Sequence, residues 1–257
     1  EKKKVQWASG GEDDVSGGGA YTHMTILAEN NQGLANLFRL SSLASLEGYY
    51  YKPRMDRELL SQYADGLIAT TGCPGGEIQT RLRMGDYREA LRAASDYRDI
   101  FGAANFYLEV MDHGIDIENR AKSDLLKLGK ELKLPLLATN DLHYTFHEDG
   151  PAHEALLCVQ SGSTLADPKR FKFDNHEFYV KTAAQMRELF KDIPEACDNT
   201  LLIAERCNVT LREGENLLPQ FEVPAGETED TWLKKEAERG LKDRLGARCT
   251  PAHEERL

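Results

Sequence analysis

The stretch LPLLATNDLHY, residues 134–144, decides how the rest of the chain is read. Its first half is an apolar run of the kind that becomes a buried strand. Its second half carries Asp141 and His143 two positions apart. In an extended chain side chains repeat every second residue, so a carboxylate and an imidazole are expected on one face at the strand's C-terminal end. One hard oxygen and one imidazole side by side make half of a divalent-metal site. A turn-forming Asp beside a surface His fits the same residues, and the motif alone does not decide between the two.

The same grammar recurs upstream. YTHMTILA (21–28), GLIATTG (66–72) and NFYLEVMDHG (105–114) are predicted strands, each running into Gly, Pro or Asn turn signals and then into helical spacing. Leu34, Leu37, Phe38, Leu40 and Leu43 carry that spacing after the first, and Ile117, Ala121, Leu125, Leu128 and Leu132 after the third. Alternating strands and helices with short loops predict an α/β fold with a parallel sheet or barrel. Downstream, GPAHEALLCVQSG predicts a helix, and EFYVKTAAQMRELFKDIPEACDNTLLIAERCNV predicts a strand and two helical stretches split at Pro194. The segment 211–228 has prolines, glycines and no period, which reads as a linker, and an amphipathic helix restarts with Trp232, Leu233, Ala237, Leu241 and Leu245. The glycine-rich start, 1–19, reads as a loop, and a chain opening inside a loop is expected to continue a longer protein.

Composition bounds the chemistry. Against 43 Asp and Glu stand 32 Lys and Arg, a net charge of −11 that excludes phosphate binding driven by a basic surface and leaves open binding through divalent ions. No stretch approaches the roughly 20 apolar residues of a membrane span, so no membrane partner is expected. Five cysteines without a CxxC pair argue against a disulfide scaffold, and no apolar signal segment opens the chain, so a cytoplasmic location is expected. Phosphate-loop, HExxH, GxSxG and dinucleotide fingerprints are absent from the sequence.

Other residues could join the Asp141 and His143 pair. Cys73 follows the strand GLIATTG and precedes Pro74-Gly75-Gly76, where a sharp turn can bring a thiolate to a shared centre; a small buried hydrophobe fits it as well. His23 heads its strand, and in an all-parallel barrel that end faces away from the catalytic rim, so a ligand role requires a distorted or antiparallel strand. His113, past a strand end beside Asp112, reads as a substrate or metal contact or as a solvated loop residue. His147, His153, His176 and His253 read as surface or capping residues, and Cys158, Cys197 and Cys207 as core.

YTHMTILAENNQGLANLF, KPRMDRELL, GLIATTGCPGGEIQTRLRMG, FYLEVMDHG, LPLLATNDLHY, HEALLCVQSG, RFKF, ACDNTLLIAERCNV and LPQFEVP occur here in one order. In them the chain resembles the polymerase-and-histidinol-phosphatase (PHP) domain of bacterial DNA polymerase III alpha subunits. The resemblance implies a distorted (β/α)7 barrel over 20–210, a linker at 211–228 and the start of a polymerase domain at 229–257. It places His23, Cys73, Asp141 and His143 on metal-ligand positions of a cluster of up to three divalent ions, zinc, manganese or magnesium. It further implies 3′–5′ exonuclease proofreading, and, through the whole protein, DNA polymerisation on a primer 3′ end with dNTPs, a sliding clamp and other replisome subunits. The family's opening HxH motif does not precede Glu1, so this chain alone is expected to lack both complete active sites. A stand-alone phosphoesterase of the same superfamily and a metal-free structural barrel are the alternatives.

Overall fold

The computed structural model describes residues 21–215 and 218–257, and the predicted loop at 1–19 lies outside the described residues. Two compact units divide the chain, Glu1–Thr210 and Leu211–Leu257.

The first unit is built on a sheet of four short strands, β1 (Thr25–Ala28), β2 (Leu67–Thr70), β3 (Phe106–Val110) and β4 (Leu136–Ala138), adjacent in that order. β2, β3 and β4 run parallel, as alternation with helices predicts. β1 runs antiparallel to β2, with Thr25 opposite Thr70 and Ala28 opposite Leu67, which corrects the all-parallel expectation. The cause is local. Helix α1 (Asn31–Leu46) starts almost at the end of β1, capped by the Asn30 side chain, which accepts from the Gly33 N–H. Gly66, which leads into β2, lies directly against Gly33, and the Glu29 N–H donates to the Gly66 carbonyl at 2.8 Å. The end of β1 is thereby pinned beside the start of β2, so the two strands must point in opposite directions.

Helices α2 (Arg57–Gln62), α3 (Glu77–Arg83), α4 (Tyr87–Phe101) and α5 (Asp116–Leu132) follow the strands. Strand alternation sorts the core into two faces. Leu67, Ala69, Phe106, Leu108, Val110 and Ala138 pack with α3, α4 and α5 in the larger cluster. Ile68, Tyr107 and Leu137 face the other way and meet Ile203 of α8 (Pro194–Arg206). Pro194 opens α8 at a position where its missing N–H has no helical partner to lose, and α7 (Ala183–Leu189) ends ahead of it, as the predicted split requires. At the lower end of the sheet Arg206 pairs with Glu29 at 3.0 Å and donates to the Ala104 carbonyl at 2.9 Å and the Tyr107 hydroxyl at 3.1 Å.

Two expectations are corrected after β4. The strand ends at Ala138 rather than running to Tyr144, and the segment 177–180 forms no strand but a single parallel bridge, Tyr144 to Tyr179. Asn140 explains both: its side-chain amide donates to the carbonyls of Glu177 at 3.0 Å and Tyr179 at 2.8 Å, occupying backbone acceptors that a ladder would use. Helix α6 (Gly150–Ser161) follows. The second unit holds α9 (Glu229–Leu245) and α10 (Pro251–Arg256); α10 is capped by Thr250, with the His253 ring accepting from the Thr250 N–H at 3.1 Å.

A Cβ at Gly33 would stand 1.9 Å from the Gly66 carbonyl oxygen, which is backbone and cannot rotate away. Gly33→Ala is therefore expected to destabilise the fold by roughly 1–3 kcal/mol, because overpacking of this kind outweighs the gain of up to about 1 kcal/mol from alanine in a helix. Urea unfolding with unchanged slope and a lower midpoint is the expected reading.

Candidate metal centre

The inward face of the sheet turns polar toward one end. On β2 it runs from Ile68 to Thr70, on β3 from Tyr107 to Glu109, and beyond β4 from Leu137 to Thr139, so three apolar positions are succeeded by three polar ones. Glu109 is buried among them. Its carboxylate accepts from the Thr139 hydroxyl at 2.6 Å and from the Thr70 hydroxyl, while its backbone N–H donates to the Thr71 hydroxyl at 2.9 Å. A buried carboxylate needs such donors. A charged residue inside the otherwise apolar run FYLEV is the sequence signal for this residue, and the reading of motifs passed over it.

Antiparallel pairing brings the head of β1 to the same end. His23 shares the inward face with Thr25 and Leu27 by alternation, and its Nδ1 lies 3.6 Å from the Cys73 sulfur. The His23 N–H donates to the Gly75 carbonyl at 3.1 Å, which holds the strand head on the turn after β2. That turn requires glycine at Gly76, where a Cβ would stand 2.2 Å from the Thr71 carbonyl oxygen. Cys73 is half-buried, and burial, followed by the charges of Asp141 and Glu109, pushes its thiol up despite an opposing hydrogen bond from Gly75.

Asp141 and His143 are brought together by a different route from the one expected. Asp141 has a φ of +39°, so the chain turns there instead of continuing extended. The His143 Nδ1 nonetheless lies 4.0 Å from the Asp141 carboxylate and 2.6 Å from the Asp141 carbonyl oxygen. A carbonyl only accepts, so Nδ1 carries the proton of this contact, and in the neutral form of the ring Nε2 is the nitrogen with the lone pair. This is the orientation in which a metal-ligating histidine is held by its backbone. The ring packs edge-on against Phe173 at 4.7 Å and Phe178 at 5.8 Å between centroids.

His113 corrects its expected surface position. Its side chain is fully buried and stacks on Phe178 at 4.1 Å, with Nδ1 2.6 Å from Glu118 and Nε2 3.1 Å from the Asn140 carbonyl. Both ring nitrogens face acceptors, so neither is left for a substrate. Burial works against its charge, but Glu118 and the Asn140 carbonyl outweigh it and the histidine pKa is raised. His113 braces the loop that carries Asp141.

The donors suit a divalent ion in kind. A thiol beside an imidazole at 3.6 Å lies within the roughly 4 Å that two ligands of one ion span, while the Asp141 carboxylate stands 4.0 Å from Nδ1 of His143, the nitrogen that the Asp141 carbonyl already occupies. They form two half-sites; among the described residues no three His, Cys, Asp or Glu side chains gather closely enough to hold one ion. His23 and Cys73 supply the softer pair, Asp141 and His143 the harder one.

Comparison with known proteins adds the following. Residues 1–113 match the PHP domain family. The chain is 52% identical over 251 residues to the DNA polymerase III subunit alpha of Mycobacterium leprae, covering 95% of this chain and 21% of that protein. It is 55% identical over 242 residues to the subunit of the same name from Saccharopolyspora erythraea, covering 93% and 20%. For Treponema pallidum the identity is 42% over 228 residues, covering 88% and 20%. The chain thus spans about a fifth of the length of the curated relatives it matches.

The His113 and Glu118 pair sets a pH signature. A folded-state pKa raised above the ordinary 6.5 contributes stability that is full below that value and is lost as pH rises through the folded value. Wild type should therefore lose thermal midpoint from neutral into mildly alkaline pH relative to Glu118→Gln. At acidic pH that substitution should cost roughly 1–3 kcal/mol, the range for a buried charged hydrogen bond. Parallel thermal unfolding across the pH range checks both.

Proposed function

The chain belongs to the family of DNA polymerase III alpha subunits, and on that premise we propose that residues 20–210 are part of a (β/α)7 PHP barrel acting as a metal-dependent 3′–5′ exonuclease. The observation that carries the reading is the 3.6 Å contact of His23 with Cys73, at the sheet end that also carries Glu109 and the Asp141 turn. A barrel sheet gathers its functional groups at the C-terminal ends of its strands, and the antiparallel β1 delivers His23 to that end.

In this reading His23 with Cys73, and Asp141 with His143 through Nε2, hold divalent ions, zinc, manganese or magnesium, up to three in the complete site. Such ions supply positive charge at a phosphodiester and acidify water near neutral pH. The protein's own part is positional. Asn140, clamped to the 177–179 backbone, fixes the Asp141 turn, and Thr70 and Thr139 hold the Glu109 carboxylate beside the site. For the whole protein the reading includes DNA polymerisation with dNTPs on a primer 3′ end, a sliding clamp and replisome partners, and a cytoplasmic location; 211–228 is a linker and 229–257 opens the polymerase domain.

A second reading, a metal-free barrel that braces the polymerase, is favoured by one observation, the two-donor half-sites without a third ligand among the described residues. Metal analysis of the full-length subunit separates the two.

In the full-length subunit, Asp141→Asn and Cys73→Ala are each expected to slow release of a labelled 3′ nucleotide from single-stranded DNA by about 10²-fold, the scale of a misplaced reacting group. Nucleotide incorporation should not change. On the chain itself, cobalt titration should give a thiolate-to-metal charge-transfer absorption that Cys73→Ala abolishes. Full exonuclease activity in both variants, or cobalt spectra indifferent to Cys73, would remove the proposed ligands from the site.

A further inference from the structure

We propose that the loop between α1 and α2 is a stacking platform that feeds the end of a single DNA strand toward the His23 and Cys73 pair. The direction of feed rests on the exonuclease reading; the platform itself does not.

The geometry is a ladder of rings and cations. Tyr51 and Tyr50 meet edge to face with centroids 4.7 Å apart. The Arg54 guanidinium lies 4.7 Å from the Tyr50 centroid and 5.5 Å from that of Tyr21, and the Lys52 ammonium lies 5.4 Å from Tyr21. Tyr21 in turn stacks on His23 at 5.9 Å, with the planes 23° apart. From the exposed tip to the thiol the path is unbroken: Tyr51, Tyr50, Arg54, Tyr21, His23, Cys73.

Two further features mark the tip. Tyr51 is 81% exposed and Tyr50 54%, which no core role explains. Tyr51 also holds a φ of +61°, a left-handed backbone that a bulky side chain rarely adopts. It is kept there by the turn across it, where the Tyr50 N–H donates to the Lys52 carbonyl at 3.0 Å and Arg54 donates to the Tyr50 carbonyl at 2.5 Å. Strain held at an exposed position is characteristic of ligand clamps.

Alternating aromatic faces and cations is the chemistry of single-strand recognition: bases stack on rings of any sequence, and phosphates take the ammonium and guanidinium. The chain carries a net charge of −11, so long-range repulsion opposes a polyanion and affinity must come from such local contacts. A duplex, whose bases are already stacked, cannot use the rings, so the occupant is an unpaired strand.

The test is fluorescence anisotropy of a labelled oligothymidylate and of a duplex of equal length with the purified chain in EDTA, which separates binding from cleavage. Single strand should bind more tightly than duplex. Tyr51→Ala and Tyr51→Gly should both weaken single-strand binding about ten-fold, and Tyr51→Phe should not. The glycine variant keeps the backbone turn without strain, so an equal loss assigns the effect to the ring. Lys52→Ala should flatten the dependence on salt. Undetectable single-strand binding by wild type, a preference for duplex, or alanine and glycine variants that bind like wild type would each overturn the platform. Intact binding by the chain, with no metal-dependent release of a 3′ nucleotide by the full-length subunit, would strike the exonuclease reading alone.

Discussion

The antiparallel pairing of Thr25–Ala28 with Leu67–Thr70 is the constraint on which the rest of the site depends. Parallel strands collect their C-terminal ends on one rim, and a parallel β1 would have carried His23 to the opposite rim. The reversal is imposed by a tight corner, in which Gly33 of α1 lies on Gly66 and leaves no room for a side chain on either. A helix start and a strand start are thus locked to each other by backbone contact. At the rim the His23 N–H donates to the Gly75 carbonyl, and the position of His23 is set by that contact together with the packing at the far end of the strand.

The same sheet solves the problem of placing charge in an interior. Burying a carboxylate without partners costs several kcal/mol, and Glu109 avoids this because its neighbours across β2 and beyond β4 are threonines at matching positions. The three residues are spaced by ladder register, not by sequence proximity. Their hydroxyls tie three consecutive strand ends together around one negative charge. A sheet with that end stitched by side chains can afford a loop as irregular as 139–145, in which Asp141 takes a left-handed turn.

Much of this was legible in the residues. The order of strands and helices follows from period-two and period-3.6 patterning, and the split at Pro194 follows from the ring's missing N–H. The pairing of Asp141 with His143 was legible as proximity but not as mechanism: alternation in an extended chain predicts a shared face, whereas a turn and a carbonyl-bound imidazole produce it. The direction of β1 was not legible, because strand polarity is set by the fit of Gly33 to Gly66, positions 33 residues apart with no periodic signal linking them. His113 was misread for a related reason. Its acceptors, Glu118 and the Asn140 carbonyl, belong to a helix start and a distant loop, and only the fold brings them to one ring. Glu109 was visible as a charge in an apolar strand, and its meaning required knowing which face it occupies.

Electrostatics at the rim runs one way. Burial first, and then the charges of Asp141 and Glu109, disfavour a thiolate at Cys73, so the sulfur holds its proton more firmly than a free cysteine does. For a nucleophilic cysteine this environment is the wrong one, since reactivity needs a lowered pKa. Under the proposed metal-binding reading, the two carboxylates would attract a positive ion, and an ion held there would favour the thiolate. The buried His113 and Glu118 pair lies one loop away, with the imidazole Nδ1 2.6 Å from the carboxylate, so its charge is met by its own partner.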